Sequence, residues 1–347
     1  MKDTVIRNKE FSILNFRFWI RSLGLSKGSI FDFGFRMRFQ SFSGNCFLRL
    51  AIVVSLFTLF ACSEELVTSS ELVPTINQSP YITKIYDYQY APGQHASLIS
   101  QNDEGSSFIG EPWVNAKSFT ALGGWGGYLI AGFDHAVNNT NGPDIAVYAQ
   151  PSVASEPGVV FVMADNNNDG LPNDGSWFEI KGSDYNHPET IHDYQVTYYK
   201  PAISGKVTWK DNQGKSGSLV PEFGTDSWWW IGYEDQSSVT FKGVKLPDAY
   251  INTSQDSAFA LWMTRAGLFK FGYAECYNNS DYNPQLKANF LDISSAVDPS
   301  GNSANLSKIN FIKIQSGVFQ IAGWLNEIST EVSGAADIHL LDKRSYQ

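Results

Sequence analysis

The chain has 347 residues, 43% of them hydrophobic and 14% aromatic, with 35 acidic against 25 basic side chains and a net charge of −10. That length suits one large β domain or two smaller ones, and the acidic balance argues against a nucleic-acid partner, whose phosphates demand a basic surface. Three cysteines are too few for a disulfide framework.

Residues 1–36 precede a second methionine, Met37, from which a signal peptide of ordinary layout can be read. Arg38 and Arg49 lead into the apolar run 50–60. As a helix this run is about 16 Å long, too short for a hydrocarbon core of about 30 Å. Leu59-Phe60-Ala61-Cys62 then resembles a lipobox, although Phe60 stands where a smaller residue is usual. On this reading residues 1–61 are a leader and Met37 is the true start. Cys62 becomes the lipidated first residue, and its acyl chains are the only tie to a membrane, at about 0.8 kcal/mol per buried methylene. Ser63-Glu64-Glu65 is similar to the acidic tag that follows the cysteine of surface-displayed lipoproteins.

Beyond residue 61 the acidic residues outnumber the basic ones 32 to 16, which fits a solvated exterior and loops that hold cations. Residues 62–80 are polar, contain Pro74 and lack apolar periodicity, so they read as a flexible tether. A single domain is expected over 81–347. Within it, short aromatic and β-branched runs at 83–90, 128–133, 145–149, 158–164, 195–199, 205–210, 238–241, 259–263, 269–272 and 311–315 alternate with turn residues. No repeat of fixed period is present, so the expected fold is all-β, an antiparallel β-sandwich of jelly-roll type with long calcium-bearing loops.

Gly123-Gly124-Trp125-Gly126-Gly127 lacks the spacing of a phosphate cradle and leads into a strand, so its glycines are expected to let two backbones approach beside a buried ring. Phe133-Asp134-His135 and Asn141-Gly142-Pro143-Asp144 place carboxylates near strand ends, where hydrogen-bonded turns are favoured over a second cation. Glu156, just before the 158–164 strand, could be a distant metal ligand.

The densest chemistry lies in Asp165-Asn166-Asn167-Asn168-Asp169-Gly170-Leu171-Pro172-Asn173-Asp174. Asp165, Asn167 and Asp169 set side-chain oxygens at alternate positions, and Gly170 permits the reversal. Leu171 offers a backbone carbonyl, and Asp174 or Asn173 can close the shell, as calcium requires. Ser176 occupies the twelfth position, where a helical calcium loop has glutamate, and the flanks read as strands, so the ion is expected to be structural. The alternative is a metal-free turn rich in Asn and Asp.

Trp228-Trp229-Trp230 with Tyr233 could stack against a sugar or another planar ligand, but adjacent strand residues face opposite sides, so one or two of these rings are expected in the core. Glu156, Glu179, Asp184, Glu327 and Glu331 are carboxylates available to a glycoside hydrolase. No nucleophile or zinc motif accompanies them, His187 and His192 merely flank a Pro-containing turn, and no catalytic residue is assigned. Cys276 lacks any surrounding motif and is expected to be a packed thiol.

Several segments together resemble a family of Bacteroidota cell-surface lipoproteins, often labelled cell-surface or PKD-type proteins. They are Tyr90-Ala91-Pro92-Gly93-Gln94, Leu122 to Gly127, Gly132 to His135, Ser155 to Val160, Asp165 to Ser183, Leu291 to Asp298, Ile309 to Gln315 and Glu327 to Val332. The chain departs from the family in having Asn173 before Asp174 and an extra residue before Trp177. The resemblance implies a surface protein without assigned catalysis, with relatives beside outer-membrane uptake receptors, in some cases for corrinoids. The expected function is therefore non-enzymatic capture of a corrinoid or glycan for such a receptor, against the alternatives of a carbohydrate-active hydrolase and of a structural or adhesive module.

Overall fold

The computed structural model describes residues 78–93, 104–112, 119–149, 155–202, 206–221, 229–230, 232–255, 260–277, 279–323 and 325–342, together with the backbone of three strands near the N-terminus. The chain divides into two units, Met1–Val73 and Pro74–Gln347. The first contains the antiparallel strands Lys9–Ile13, Phe16–Gly24 and Ser29–Gly34. The apolar run 50–60, Cys62, residues 62–77 of the tether and Trp228 lie outside the described residues.

In the second unit two antiparallel sheets face each other. The larger has seven strands, six of them in the order Ala296–Val297, Phe178–Ile180, Gly158–Met163, Lys308–Ser316, Tyr128–Asn138 and Lys84–Gln89, while Tyr273–Ala274 pairs with the free end of Gly158–Met163. The smaller has five, in the order Tyr282–Asn283, Ala288–Leu291, Ile145–Ala149, Glu331–Asp337 and Thr120–Ala121. Alternate residues of each turn inward. Leu129, Ala131, Val160, Val162, Ile312 and Ile314 from one sheet meet Ile145, Val147, Leu291, Val332 and Ala335 from the other. Each large aliphatic side chain sealed in this way contributes about 1.5–3 kcal/mol. The chain is thus an all-β antiparallel sandwich, and among the described residues its only helical pieces are short 3-10 turns.

Gly158–Met163 is apolar throughout, with valine at 159, 160 and 162, because it is covered on both faces. Val160 and Val162 point into the sandwich, whereas Val159 and Phe161 pack outward with Val244, Leu246 and Tyr273. That outward face is roofed by a four-stranded sheet, Ser216–Ser218, Thr208–Asp211, Ile191–Tyr199 and Ser238–Lys245, and by the hairpin Tyr250–Asn252 with Trp262–Thr264. Ile191–Tyr199 shows the period-two pattern directly. Tyr194, Val196 and Tyr198 are buried in an aromatic cluster, while Gln195, Thr197 and Tyr199 keep contact with solvent.

Three expected strands move, among them the one at 259–263, which falls at Trp262–Thr264. The aromatic run 269–272 is not extended. Phe269 takes a left-handed φ of 51°, its N–H donates to the buried Asp184 carboxylate at 2.7 Å, and pairing starts only at Tyr273. The 205–210 strand sits later, at Thr208–Asp211, where it can pair with Val196–Tyr199. The turn expected at Asn141-Gly142-Pro143-Asp144 is present: Asp144 accepts from Thr140 N–H at 2.9 Å and from Ile293 N–H at 3.0 Å, and His339 Nε2 lies 3.0 Å away. Asp134 similarly accepts from Ser79 N–H and pairs with His135, whose other ring nitrogen meets Asp337 at 3.0 Å.

Candidate functional site

The glycine-rich turn sets the back wall of the principal cavity. A Cβ on Gly124 would lie 2.6 Å from the Pro92 carbonyl oxygen, and one on Gly127 would lie 1.8 Å from that of Leu122, so the two backbones touch as the sequence suggests. This approach buries the indole of Trp125. Its Nε1 donates to Val244 O at 3.2 Å, its own carbonyl accepts from the Tyr198 hydroxyl at 3.0 Å, and its ring stands edge-on to Tyr194 at 4.7 Å.

Trp125, Tyr194, Tyr198, Trp209, Trp229 and Phe319 line a cavity of about 480 Å³, within the range of about 300–1,000 Å³ for small-molecule sites. Phe319 is its hub, contacting Trp209 at 4.9 Å, Tyr198 at 6.1 Å, Tyr194 at 6.2 Å and Trp125 at 6.3 Å. Phe319 and Trp209 are only half-buried and present ring surface to the space. Trp229 is 2% exposed, and its sealed indole nitrogen has no hydrogen-bond partner among the described residues.

Polar side chains surround this aromatic lining. Glu189, Asp211, Gln213, Lys215, Lys245 and Asp248 all border the cavity. Arg265 grips Glu189 with two bonds of 2.8 and 2.9 Å and holds its carboxyl below the usual carboxylate range. Asp211 accepts from the Tyr194 hydroxyl at 2.7 Å and from the backbone N–H of Gln213 and Lys215. Burial lowers the Lys245 ammonium, against the opposing charge of Asp248 at 3.9 Å.

Of the tryptophan platform suggested by sequence, Trp229 borders the cavity, while Trp230 and Tyr233 are buried beside it. Trp230 Nε1 donates to Tyr233 O at 2.7 Å, and the Tyr233 hydroxyl donates to the Tyr90 carbonyl. Trp209 and Phe319 escaped the sequence reading because each is a lone aromatic in its own segment. Their role arises only when the strand Thr208–Asp211 is brought over residues 318–321.

The Asp165–Asp174 loop joins the strands Gly158–Met163 and Phe178–Ile180, as its flanks suggest. Its acidic side chains turn onto its own amides. Asp165 accepts from the N–H of Asp169 at 3.2 Å and of Gly170 at 3.0 Å, Asp169 from that of Leu171 at 2.8 Å, and Asp174 from that of Asn166 at 2.7 Å. Asn167 Oδ1 accepts from Asp169 N–H at 2.8 Å, and the amide of Asn173 donates to Asp169 at 3.0 Å, the largest of the bonds that hold that carboxyl low. The Tyr86 hydroxyl donates to the Gly170 carbonyl at 2.7 Å and ties the loop to the edge strand Lys84–Gln89 of the same sheet. The Leu171 side chain is 44% exposed, and its carbonyl accepts from Asn173 N–H at 2.9 Å. The candidate donors are all oxygen, as a hard cation needs, but the carboxylates of Asp165, Asp169 and Asp174 do not all lie within 4.8 Å of one another. Cys276 is fully buried, and burial pushes its thiol well above the ordinary value, so it is a packed thiol of little nucleophilic character.

No protein-family model matches the chain, and no curated protein matches it in sequence.

Proposed function

We propose that the protein is a non-enzymatic binder of a small saccharide, presented at a bacterial surface through lipidated Cys62 and passing its ligand to an outer-membrane receptor. The aromatic cavity carries this reading. Half-buried Trp209 and Phe319 offer flat faces to the C–H side of a sugar ring, and the surrounding carboxylates and lysines suit hydroxyl groups. A corrinoid is the competing ligand, and it is much larger than a cavity of about 480 Å³ would enclose.

Of the acids that border the cavity, Glu189 is unsuited to act as a general acid, which needs a raised pKa, because Arg265 holds its carboxyl low. A purely adhesive module would have no reason to keep a cavity of about 480 Å³ lined by aromatic rings.

Calorimetric titration with monosaccharides and disaccharides tests the proposal. Trp209→Ala is expected to weaken binding at least tenfold, about 1.4 kcal/mol. Trp229→Phe removes the indole N–H and also shrinks a side chain that is 2% exposed, so it is expected to lower the melting temperature as well as to weaken binding. Binding of cobalamin with no saccharide affinity would transfer the site to corrinoids, and release of reducing sugar would transfer it to hydrolysis.

The Asp165–Asp174 loop is proposed to hold a structural calcium through Asp165, Asn167, Asp169, the Leu171 carbonyl and Asp174. Calcium at about one hundred times its dissociation constant adds roughly 2.7 kcal/mol, which corresponds to a rise of about 5–10 °C in melting temperature. Asp165→Asn with Asp169→Asn is expected to reduce that rise. An unchanged rise in this double variant would place the ion elsewhere.

A further inference from the structure

Away from the loop, three glutamates from distant parts of the chain meet where the two main sheets join. Glu156 precedes the strand Gly158–Met163, Glu275 follows Tyr273–Ala274, and Glu331 opens Glu331–Asp337. One carboxylate oxygen from each lies within 4.8 Å of the other two. Glu275 is 1% and Glu331 5% exposed; Glu156 is partly exposed as a residue, with its carboxyl at the desolvated end.

The backbone fixes these groups in place. Glu156 N–H donates to the Glu275 carbonyl at 3.2 Å, Glu156 Oε2 accepts from Ser329 N–H at 2.9 Å, and Glu275 Oε2 accepts from Glu331 N–H at 2.5 Å. Glu275 also holds a left-handed φ of 53°, which a residue with a side chain adopts rarely. Its other oxygen, Oε1, is sealed from solvent and takes no well-formed hydrogen bond, although the Tyr277 hydroxyl is close enough to favour the ionised form.

Buried like charges at this spacing repel strongly unless protons or a cation intervene. The charges acting on Glu156 and Glu275 are all negative: Glu331 on both, Glu327 on Glu156 and Glu156 on Glu275. Burial first, then Glu331, pushes both carboxyls well above the ordinary carboxylate range. Such a group must either share protons or hold a metal. Three carboxylates carry six oxygens, and calcium takes six to eight, all hard. Softer metals would call for the imidazole or thiolate that this cluster lacks.

We propose that Glu156, Glu275 and Glu331 form a second divalent-cation site, with calcium as the ion, that clamps the seven-stranded sheet to the five-stranded one. The orphaned Glu275 oxygen becomes a ligand in the loaded protein. Because Ser329 binds Glu156, and Glu327 and Ile328 border the aromatic cavity, the ion also braces one wall of that cavity. The site does not depend on what the cavity binds.

The test is calorimetric titration of the chelator-stripped full chain with calcium chloride alone. The loop variant Asp165→Asn with Asp169→Asn is expected to retain one equivalent of calcium. Adding Glu275→Gln to it is expected to weaken that equivalent at least tenfold, because ligand charge sets affinity in such sites. If that protein does not fold, Glu331→Gln in the same background takes its place with the same expectation. A loop variant that binds no calcium up to millimolar concentration would overturn the proposal and leave the three carboxyls sharing protons. Retained calcium of unchanged affinity in the folded glutamine variants would overturn it equally.

Discussion

Gly127→Ala is expected to yield little folded protein. The added Cβ would lie 1.8 Å from the Leu122 carbonyl oxygen and 2.6 Å from the Ala91 nitrogen, and both are backbone atoms that no rotamer change can move. Ala91 N–H and Leu122 O also bond to each other at 3.0 Å, so relief of the clash breaks that link and shifts Trp125. A cost of about 4 kcal/mol or more follows, in the range reserved for overpacking with lost hydrogen bonds. Gly142→Ala is the control. Its surroundings are open within 4 Å, and only its left-handed φ of 96° resists a side chain, so about 1–2 kcal/mol is expected. Urea melts of the two variants separate steric exclusion from backbone strain. Equal midpoints would show that the close approach at residue 127 is not rigid.

The second large effect is expected at Asp144, which has no exposed surface. Its carboxylate accepts from two backbone N–H groups and the Thr140 hydroxyl and faces His339. Asp144→Ala abandons all of them inside the protein. Each orphaned donor costs about 1–3 kcal/mol, so a total of about 3–5 kcal/mol is expected, or roughly 10 °C in melting temperature. Asp144→Asn keeps an acceptor oxygen and should lose less than half of that. A melting temperature for Asp144→Ala within about 2 °C of the parent would show that water replaces the carboxylate.

The sequence announces its strands where side chains pack on pleated surfaces. The stretches 145–149 and 158–163 are dense in Val, Ile and Ala between turn residues, and their strands fall where that pattern lies. Glu331–Asp337 was invisible by the same criterion. Its sequence Glu-Val-Ser-Gly-Ala-Ala-Asp has few β-formers, yet all seven residues are buried between Ile145–Ala149 and Thr120–Ala121. Small side chains are what a central strand needs when both faces are crowded; a Cβ on Gly334 would already touch Pro112 at 2.7 Å.

The site was legible in part for the same reason. The Asp165–Asp174 loop is local, so its spacing declares it. Trp229 stands out in sequence among other tryptophans, whereas Trp209 and Phe319 join it only through long-range pairing. The glutamate cluster draws on positions 156, 275 and 331, and nothing in their neighbours marks them as partners.

The order of strands has a consequence for how the molecule is made. Lys308–Ser316 fills the gap between Tyr128–Asn138 and Gly158–Met163, and Glu331–Asp337 does the same in the opposing layer, so each sheet awaits a piece from the end of the chain. A nascent polypeptide still on the ribosome therefore has unzipped edges until synthesis is almost finished. High contact order of this kind makes folding slow and leaves the incomplete product prone to aggregate.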